Sequence, residues 1–291
     1  MSISPVKERT DYVIKMKNSF SQEIEKFLRS HEIQLKRKSL FRDELFPSLC
    51  NQSNNIVLHC ISLQLSVLKN ISPDYFSKLS DEAERTGLRL VHIWQDVWLM
   101  KRQILESRLL SFFHLSKRLY ARNSQLQRLD KAESNFFLEA NHLQGATSAF
   151  FKFGLKQENH LVAVATFAKG RMMTDSKLPY RSYEMERFAN RNAETVVGAM
   201  GKLIEGFTRQ YKVMHLMTYS DRDLGTGEVY RKLGFEQKEI LPAMEFLVHP
   251  KECIRFSRKR MDEGEYRKRL QNGYMKIYNA GSLKWIRDLR N

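Results

Sequence analysis

The order of apolar segments between residues 130 and 241 constrains the fold of this chain more than any other feature. Apolar runs typical of strands lie at 149–155, 161–167, 183–189 and 213–219, and a further strand starts at Phe235. Helical patterns begin at Asp130, whose side chain caps the helix with Glu133, and recur at 198–211 and 227–233. This order predicts an α/β (α+β) fold in which helices flank a mixed central sheet.

The pattern breaks near residues 120–123, and we place a domain boundary there. We expect a smaller helical or α/β region over residues 1–123, and a second domain with a basic C-terminal extension over residues 124–291. Within the first region, the spacing predicts a strand at 88–94 and a helix at 99–115.

The chain is strongly basic, with 49 Lys and Arg against 33 Asp and Glu and a formal net charge of +16. Such a charge attracts polyanions, so nucleic acid is the first partner to consider, and a solvated basic surface is the alternative. The arginines that we consider for nucleic-acid contacts are Arg171, Arg222, Arg258, Arg260 and Arg267.

Cysteine usage and hydropathy argue against several other classes. The three cysteines have neither disulfide-framework nor zinc-site spacing, so we expect a reducing compartment and no metal site. The N-terminus lacks an apolar leader, and the longest apolar run, 56–68, is too short to cross a bilayer. We therefore expect a cytoplasmic protein without a membrane partner.

A glycine pair, Gly198 and Gly201, opens the helix predicted at 198–211. Backbone N–H groups at a helix N-terminus bind phosphate well where glycine allows close approach. The pair is therefore a candidate pyrophosphate site. Its spacing fits neither a Walker nor a Rossmann pattern, and a packing role for both glycines is the alternative.

The segment YRKLGF at 230–235, which follows a predicted strand and turn, resembles a recurring motif of GNAT acyltransferases. The resemblance implies a site for acetyl-CoA or another acyl-CoA, and it makes Tyr230 the residue that protonates the leaving thiolate. The loop expected to bind the CoA pyrophosphate contains Val197, Gly198, Ala199, Gly201 and Lys202. Met200 departs from the family pattern, in which Gly or Ala is usual at this position.

Longer stretches over residues 130–250 resemble phage DNA-modifying proteins of the Mom type. The matching words are NHLQG at 141–145, FGL at 153–155, LVAVATFAKGR at 161–171, EMERFANRNAET at 184–195, YSDRDLGTG at 219–227 and YRKLGF at 230–235. The resemblance implies DNA in preference to RNA as partner, a modified adenine as product, and an active site with Arg187, Asp221 and Tyr230. His142 is a further candidate base or substrate contact, and capping of a helix end is its alternative role.

The chemistry of this residue set is consistent with base modification. A carboxylate at the carboxyl end of a strand can orient or deprotonate an exocyclic amine, and an arginine can hold a phosphate bidentately. Taken singly, each residue also has a structural explanation. Arg187 and Asp221 can pair with each other, and Tyr230 can pack on the sheet.

Residues 87–112 resemble the last strand and helix of Vsr-like endonuclease folds, and Tyr120–Arg122 matches a YAR motif that follows them in phage fusions. A nuclease needs carboxylates that hold a divalent cation. Residues 41–87 contain no convincing set, so we expect a degenerate remnant without nuclease activity, with Trp94 and Trp98 in its core.

The C-terminal segment 272–289 resembles the terminal hairpin of the same phage proteins. We expect its turn at Asn279–Ser282, with a positive φ at Gly281.

Three functions remain open from the sequence. The first is a GNAT-like transferase that acts on nucleic acid. The second is an acyl-CoA-dependent N-acyltransferase whose acceptor is a small amine, a protein or an aminoacyl-tRNA. The third is a non-catalytic DNA-binding protein of a phage or mobile element. The sequence leaves the acyl donor, the acceptor and the oligomeric state open.

Overall fold

The computed structural model describes residues 20–41, 45–51, 53, 55–68, 70–174 and 179–290. Residues 1–19, on which the expectation of no apolar leader depends, lie outside this range. The chain forms two compact units. Of the described residues, the first unit contains those up to Met100 with Asp221–Thr226 and Leu241–Ser282, and the second contains those of Lys101–Ser220, Gly227–Ile240 and from Leu283 onward.

The elements are numbered in chain order. The helices are α1 at 20–29, α2 Leu63–Leu68, α3 Tyr75–Arg85, α4 Gln95–Met100, α5 Arg102–Phe112, α6 Lys131–Asn141, α7 Ala199–Tyr211, α8 Glu228–Lys232 and α9 Glu263–Gln271. The strands are β1 Lys36–Arg37, β2 Ser48–Asn51, β3 Ile56–Ile61, β4 Arg89–Trp94, β5 Lys117–Tyr120, β6 Gln125–Arg128, β7 Phe151–Gln157, β8 His160–Phe167, β9 Arg171–Thr174, β10 Pro179–Asn190, β11 Glu194–Val197, β12 His215–Asp221, β13 Glu236–Leu241, β14 Glu245–Val248, β15 Arg255–Ser257, β16 Met275–Tyr278 and β17 Ser282–Asp288.

The first unit contains a sheet in the order β1–β2–β3–β4. Strand β3 is buried along its whole length and pairs in parallel with β4, which is typical of strands covered on both faces. Trp94 and Trp98 are 2% and 0% exposed, so their prediction as core residues is confirmed. A smaller sheet, β15–β14–β16, belongs to the same unit.

The predicted C-terminal hairpin is wrong. Strand β16 pairs with β14, whereas β17 lies between β13 and β12 in another sheet. The predicted positive φ of Gly281 is present, at 87°. The backbone conformation of Gly281 is therefore as expected, but residues 279–281 lead the chain from one sheet to another, because each strand finds its partner elsewhere.

The second unit is built on a sheet in the order β13–β17–β12–β10–β8–β7–β6, with β9 paired to β10. Pairs β6/β7, β7/β8 and β8/β10 are antiparallel, and β10/β12 is parallel. The mixed sheet flanked by helices that the sequence predicts is thus confirmed. The strands predicted at 149–155 and 161–167 form the hairpin β7/β8, whose turn contains Glu158 and Asn159, both at positive φ.

Helix α7 covers this sheet through an apolar face. Leu203, Ile204 and Phe207 are buried, and the Phe207 ring stacks on that of Phe167 in β8 at 3.9 Å between centroids. Helix α6 begins as predicted, because the Asp130 side chain accepts a 2.8 Å hydrogen bond from the Glu133 backbone N–H.

The expected boundary between residues 123 and 124 falls inside the second unit. Strand β5, which precedes that position, pairs in parallel with β11. The Lys202 ammonium also donates hydrogen bonds to the carbonyls of Ala121 and Ser124. The segment that carries the YAR motif is therefore fixed to the start of α7.

Candidate functional site

The parallel strands β10 and β12 part from each other partway along their length. Ser182 pairs with His215 at one end and Met185 with Thr218 at the other. Both strands continue beyond this point, but they no longer pair with each other. At the same point the pairing of β10 with β8 shifts register between Met185 and Arg187. A bulge of this kind re-aims side chains and commonly lies beside functional sites.

Tyr230 reaches the last paired position of these strands. Its phenol lies close enough to the Thr218 hydroxyl for this neighbour to affect the pKa of the phenol. Thr218 in turn donates a 3.0 Å hydrogen bond to the Met185 carbonyl. Burial raises the pKa of Tyr230, so the phenol keeps its proton at neutral pH. A phenol that holds a proton at the parting of two strands is placed to donate it to a leaving group.

Two glutamates on β10 flank the same point, and sequence reasoning missed both. Burial, reinforced by the neighbouring Glu186, raises the pKa of Glu184. Glu186 accepts a hydrogen bond from the Thr147 hydroxyl. The available signal was the sequence EMER at 184–187, since two acidic residues two positions apart in a strand share one face of the sheet. A raised pKa makes the carboxylate of a glutamate a stronger proton acceptor, which suits it to proton transfer.

Arg187 is half-buried at the bulge, where its guanidinium donates a 2.7 Å hydrogen bond to the Glu186 carbonyl. Its charge lowers the pKa of Glu184, though less than burial raises it. We call Glu184, Glu186, Arg187, Thr218 and Tyr230 the splay site. It includes two of the residues predicted for catalysis, Arg187 and Tyr230.

His142 follows α6, and its environment opposes a role as base. Burial, with the charges of Arg108 and Arg187, lowers its pKa to about 2. Its Nδ1 accepts a 3.1 Å hydrogen bond from the Gln144 backbone N–H. The ring therefore stays neutral and uses one lone pair to hold the turn, in agreement with the alternative structural role.

Asp221 lies at the end of β12 and belongs to the first unit. Its side chain accepts a 3.0 Å hydrogen bond from the Asp223 backbone N–H and caps the following turn. Asp223 is buried and accepts hydrogen bonds from the Trp94 indole, at 3.0 Å, and the Ala280 backbone N–H, at 2.8 Å. The joint action of Asp221 with Arg187 and Tyr230 stays a prediction.

A groove of about 670 Å³ runs beside the N-terminus of α7. Its lining includes much of the predicted pyrophosphate loop and all of the YAR motif: Tyr120, Ala121, Arg122, Leu126, Val197, Gly198, Gly201, Lys202, Glu205, Gly206 and Arg209. We call this cavity the α7 groove. Two motifs that are distant in sequence thus meet around one cavity.

The residues predicted to bind pyrophosphate differ in their structural roles. Gly198 precedes α7 with a φ of 81°, a conformation that favours glycine. A methyl group at Gly201 would lie 3.2 Å from Leu233, so this glycine serves packing, and Ala199 is buried. Lys202 points its ammonium at two backbone carbonyls. Of this loop, Gly198 and the exposed Val197 therefore stay the candidates for contact with a phosphate.

The arginines considered for nucleic-acid contacts also differ. Arg222 is 5% exposed and pairs with Asp81 at 2.5 Å, so the structure does not support it as a phosphate contact. Arg258 and Arg267 both pair with Glu263. Arg171 and Arg260 are exposed.

Among the described residues, every helix is too short or too polar to span a bilayer. Among the same residues, no three His, Cys, Asp or Glu side chains cluster in a way that could hold a metal ion.

No protein-family model matches the sequence, and comparison with curated proteins gives no significant match. Among solved structures, an IAA acetyltransferase from Bacillus cereus matches 57% of this chain and 99% of its own, with 14% identity and a TM-score of 0.34. A GNAT family acetyltransferase from Elizabethkingia anophelis, with acetyl-CoA bound, matches 57% and 99% with 11% identity and a TM-score of 0.36. The ribosomal-protein-S18-alanine N-acetyltransferase from Escherichia coli matches 57% and 94% with 11% identity and a TM-score of 0.34. Values this low establish neither activity nor substrate for this chain.

Proposed function

We propose that this chain is a GNAT-type transferase that moves an acyl group from an acyl-CoA donor to an amine. The observation that carries the proposal is the parting of β10 and β12 beside a protonated phenol and a glutamate of raised pKa. An opening between two parallel strands admits a substrate to the middle of a sheet. The two side chains there supply the proton donor and the proton acceptor that acyl transfer needs.

The α7 groove fits the nucleotide part of such a donor. Its volume of about 670 Å³ is in the range of small-molecule sites. The start of α7 at Gly198 offers backbone N–H groups and the positive end of the helix dipole to a pyrophosphate. Arg122 and Arg209 add two positive charges to the lining, against one negative charge from Glu205.

Each residue of the splay site that takes part in this reaction has a separate role. A bound acyl-CoA supplies an acyl group activated as a thioester. Glu184 accepts a proton from the attacking amine as the new nitrogen–carbon bond forms. Tyr230 donates its phenolic proton to the sulfur as the carbon–sulfur bond breaks. Thr218 positions the phenol, and the Tyr230 proton is restored from solvent.

Calorimetry with acetyl-CoA and a thiol-release assay test this proposal. We expect wild type and Tyr230→Phe to bind acetyl-CoA equally, and Tyr230→Phe to release CoA at least about 100-fold more slowly, the lower range for loss of a general acid. Tyr180→Phe is the matched control, because this tyrosine lies on β10 before its pairing with β12 begins and has Arg290 over its ring. Absence of acetyl-CoA binding by wild type, or unchanged release by Tyr230→Phe, would contradict the proposal.

As acceptor we propose an exocyclic amine of a nucleic-acid base, with DNA preferred. The net charge of +16 favours a polyanion. Exposed Arg171 lies close enough to Glu184 to affect its pKa, so a phosphate held by this arginine would bring a base near the glutamate. A small amine, a protein or an aminoacyl-tRNA is the alternative acceptor.

Mass spectrometry of nucleosides distinguishes these acceptors. DNA from cells that express wild type should contain a modified nucleoside, and DNA from cells with Tyr230→Phe should lack it. Arg171→Gln should weaken DNA binding and reduce its salt dependence by about one phosphate contact. Unmodified DNA together with measurable CoA release would reject the nucleic-acid acceptor and retain the acyltransferase.

A further inference from the structure

Strand β9 and the start of β10 form a two-stranded arm at one end of the large sheet. Residues 171–174 pair with residues 179–182 in antiparallel register, and β9 pairs with β10 alone among the described strands. The pairing of β10 with β12 starts only at Ser182, so the arm extends beyond it. Four residue pairs correspond to a length of about 13 Å. We call residues 171–174 and 179–182 the β9 arm.

Both faces of strand β9 lie in solvent. Successive residues of a strand point to opposite faces, so a strand that covers a core alternates between buried and exposed side chains. All four residues of β9 are exposed. They include two methionines, Met172 at 60% and Met173 at 44% exposure. The arm therefore presents apolar side chains to solvent on both faces.

The charge of the arm and of the turn before it favours a polyanion as partner. Lys169, Arg171 and Arg181 are exposed, and no residue at 168–174 or 179–182 is acidic. Two-stranded ribbons enter the grooves of duplex DNA. There, cations contact the phosphates and an apolar side chain such as methionine inserts between base steps. The β9 arm combines these two kinds of side chain.

The register places one of the two methionines on the same face as Glu184. Residues directly opposite in an antiparallel pair share a face, and so do alternate residues of one strand. Arg171 lies opposite Ser182, and Met173 lies opposite Tyr180. Met173, Arg171 and Glu184 therefore follow one another along one face, at steps of about 7 Å.

The strand opposite Met173 is held by contacts within the second unit. The Tyr180 ring lies 4.9 Å from the His215 ring, and the Arg290 guanidinium lies 3.7 Å from the Tyr180 centroid. A 2.8 Å hydrogen bond joins the His215 imidazole to the Ser182 hydroxyl. A strand that is already ordered presents Met173 without a further loss of entropy on binding.

We propose that the β9 arm opens duplex DNA for the splay site, with Met173 inserted into the base stack as a wedge. A base inside a duplex cannot reach an active site, so enzymes that modify bases turn the target nucleotide out of the stack. Met173 fills the space that the base leaves, Arg171 holds the phosphate of the extruded nucleotide, and Glu184 meets the amine. This inference rests on the nucleic-acid acceptor proposed above and adds the means by which a paired base reaches Glu184.

Fluorescence of 2-aminopurine in duplex DNA tests the proposal on the full chain, without an acyl donor. This base fluoresces more strongly when it, or the base beside it, leaves the stack. The probes are short duplexes in which 2-aminopurine replaces or adjoins each type of base. We expect wild type to raise the fluorescence. Met173→Ala should bind the duplex about tenfold more weakly, the size of one base stack, and should cause no rise at saturation.

Met172→Ala is the matched control. Met172 lies opposite Arg181 on the other face and is at least as exposed as Met173, so neither substitution should affect folding. The control should bind the duplex and raise the fluorescence like wild type. All three proteins should bind single-stranded DNA equally, because no base pair has to open.

Each outcome decides for or against the wedge. Absence of duplex binding by wild type, or binding without a rise in fluorescence, overturns the inference. A rise that Met173→Ala retains, or that Met172→Ala loses equally, also overturns it, as does an equal loss of single-strand affinity in Met173→Ala. A rise that depends on Met173 in a protein that releases no CoA supports the inference and rejects the proposed transferase. CoA release without any rise retains the transferase and overturns the wedge.

Discussion

The buried ion pair between Asp96 and Arg255 gives the sharpest test of how the first unit is stabilised. The guanidinium donates two hydrogen bonds to the carboxylate, at 2.7 and 2.8 Å. The Asp96 side chain is 2% exposed and that of Arg255 is 19% exposed. Arg255 also lies 5.1 Å from the ring centroids of Trp94 and Phe246. Removal of the arginine would therefore leave a charge in a largely apolar environment.

We expect Arg255→Met to lower the free energy of unfolding by about 3–5 kcal/mol, because the Asp96 carboxylate loses its partner while it stays buried. Most of that loss is the cost of the unpaired charge. The double variant Asp96→Leu/Arg255→Met removes the charge as well, so it should lose at least about 2 kcal/mol less than the sum of the single variants. The single variant Asp96→Leu completes the cycle.

The assay is urea denaturation followed by tryptophan fluorescence, to which Trp94 beside the guanidinium contributes. Arg267→Met is the control. Arg267 pairs with Glu263 at 3.0 Å, but the two side chains are 74% and 56% exposed, so its loss should cost less than about 1 kcal/mol. The reasoning is refuted if Arg255→Met costs no more than this control, or if the two single losses simply add in the double variant.

Four further predictions concern stability. Burial lowers the pKa of His142 to about 2, so between that pH and about pH 6.5 only the unfolded state binds a proton at this residue. The free energy of unfolding therefore falls as the pH drops below about 6.5. His142→Gln should remove part of this pH dependence in denaturation series at several pH values. Lys202→Met should destabilise the second unit by about 2 kcal/mol in chemical denaturation, because two carbonyls lose a charged donor. Asp130→Ala should cost about 1 kcal/mol in the same assay through loss of the α6 cap, and an unchanged midpoint would contradict that role. Gly281→Ala should lower the melting temperature. A residue with a side chain is strained at a φ of 87°, and its Cβ would collide with the Leu241 carbonyl. An equal melting temperature would exclude this strain.

Local features of the fold were predictable because each depends on neighbouring residues alone. The Asp130 cap, the start of α7 after Gly198 and the positive φ of Gly281 follow from the conformational preferences of a few adjacent residues. The order of strands and helices in the second unit follows from the spacing of apolar side chains. The prediction of Trp94 and Trp98 as core residues held for the same reason.

The candidate site was predictable only in part. Sequence reasoning found Arg187 and Tyr230 through family motifs, but it missed Glu184. The raised pKa of that glutamate depends on burial within the folded sheet and on the charges that folding brings beside it. No pattern of adjacent residues contains that information.

The sequence alone determined which segments become strands and helices, where several of them begin, and that the chain is strongly basic. The tertiary structure decided which strands pair, so that β16 and β17 enter different sheets although a turn joins them. It also decided which cations stay accessible, since Arg222 is buried against Asp81 and Lys202 is turned to backbone carbonyls. The physical reason is range: backbone preference and periodicity act over a few residues, whereas pairing, burial and charge environment depend on segments that meet only in the folded chain.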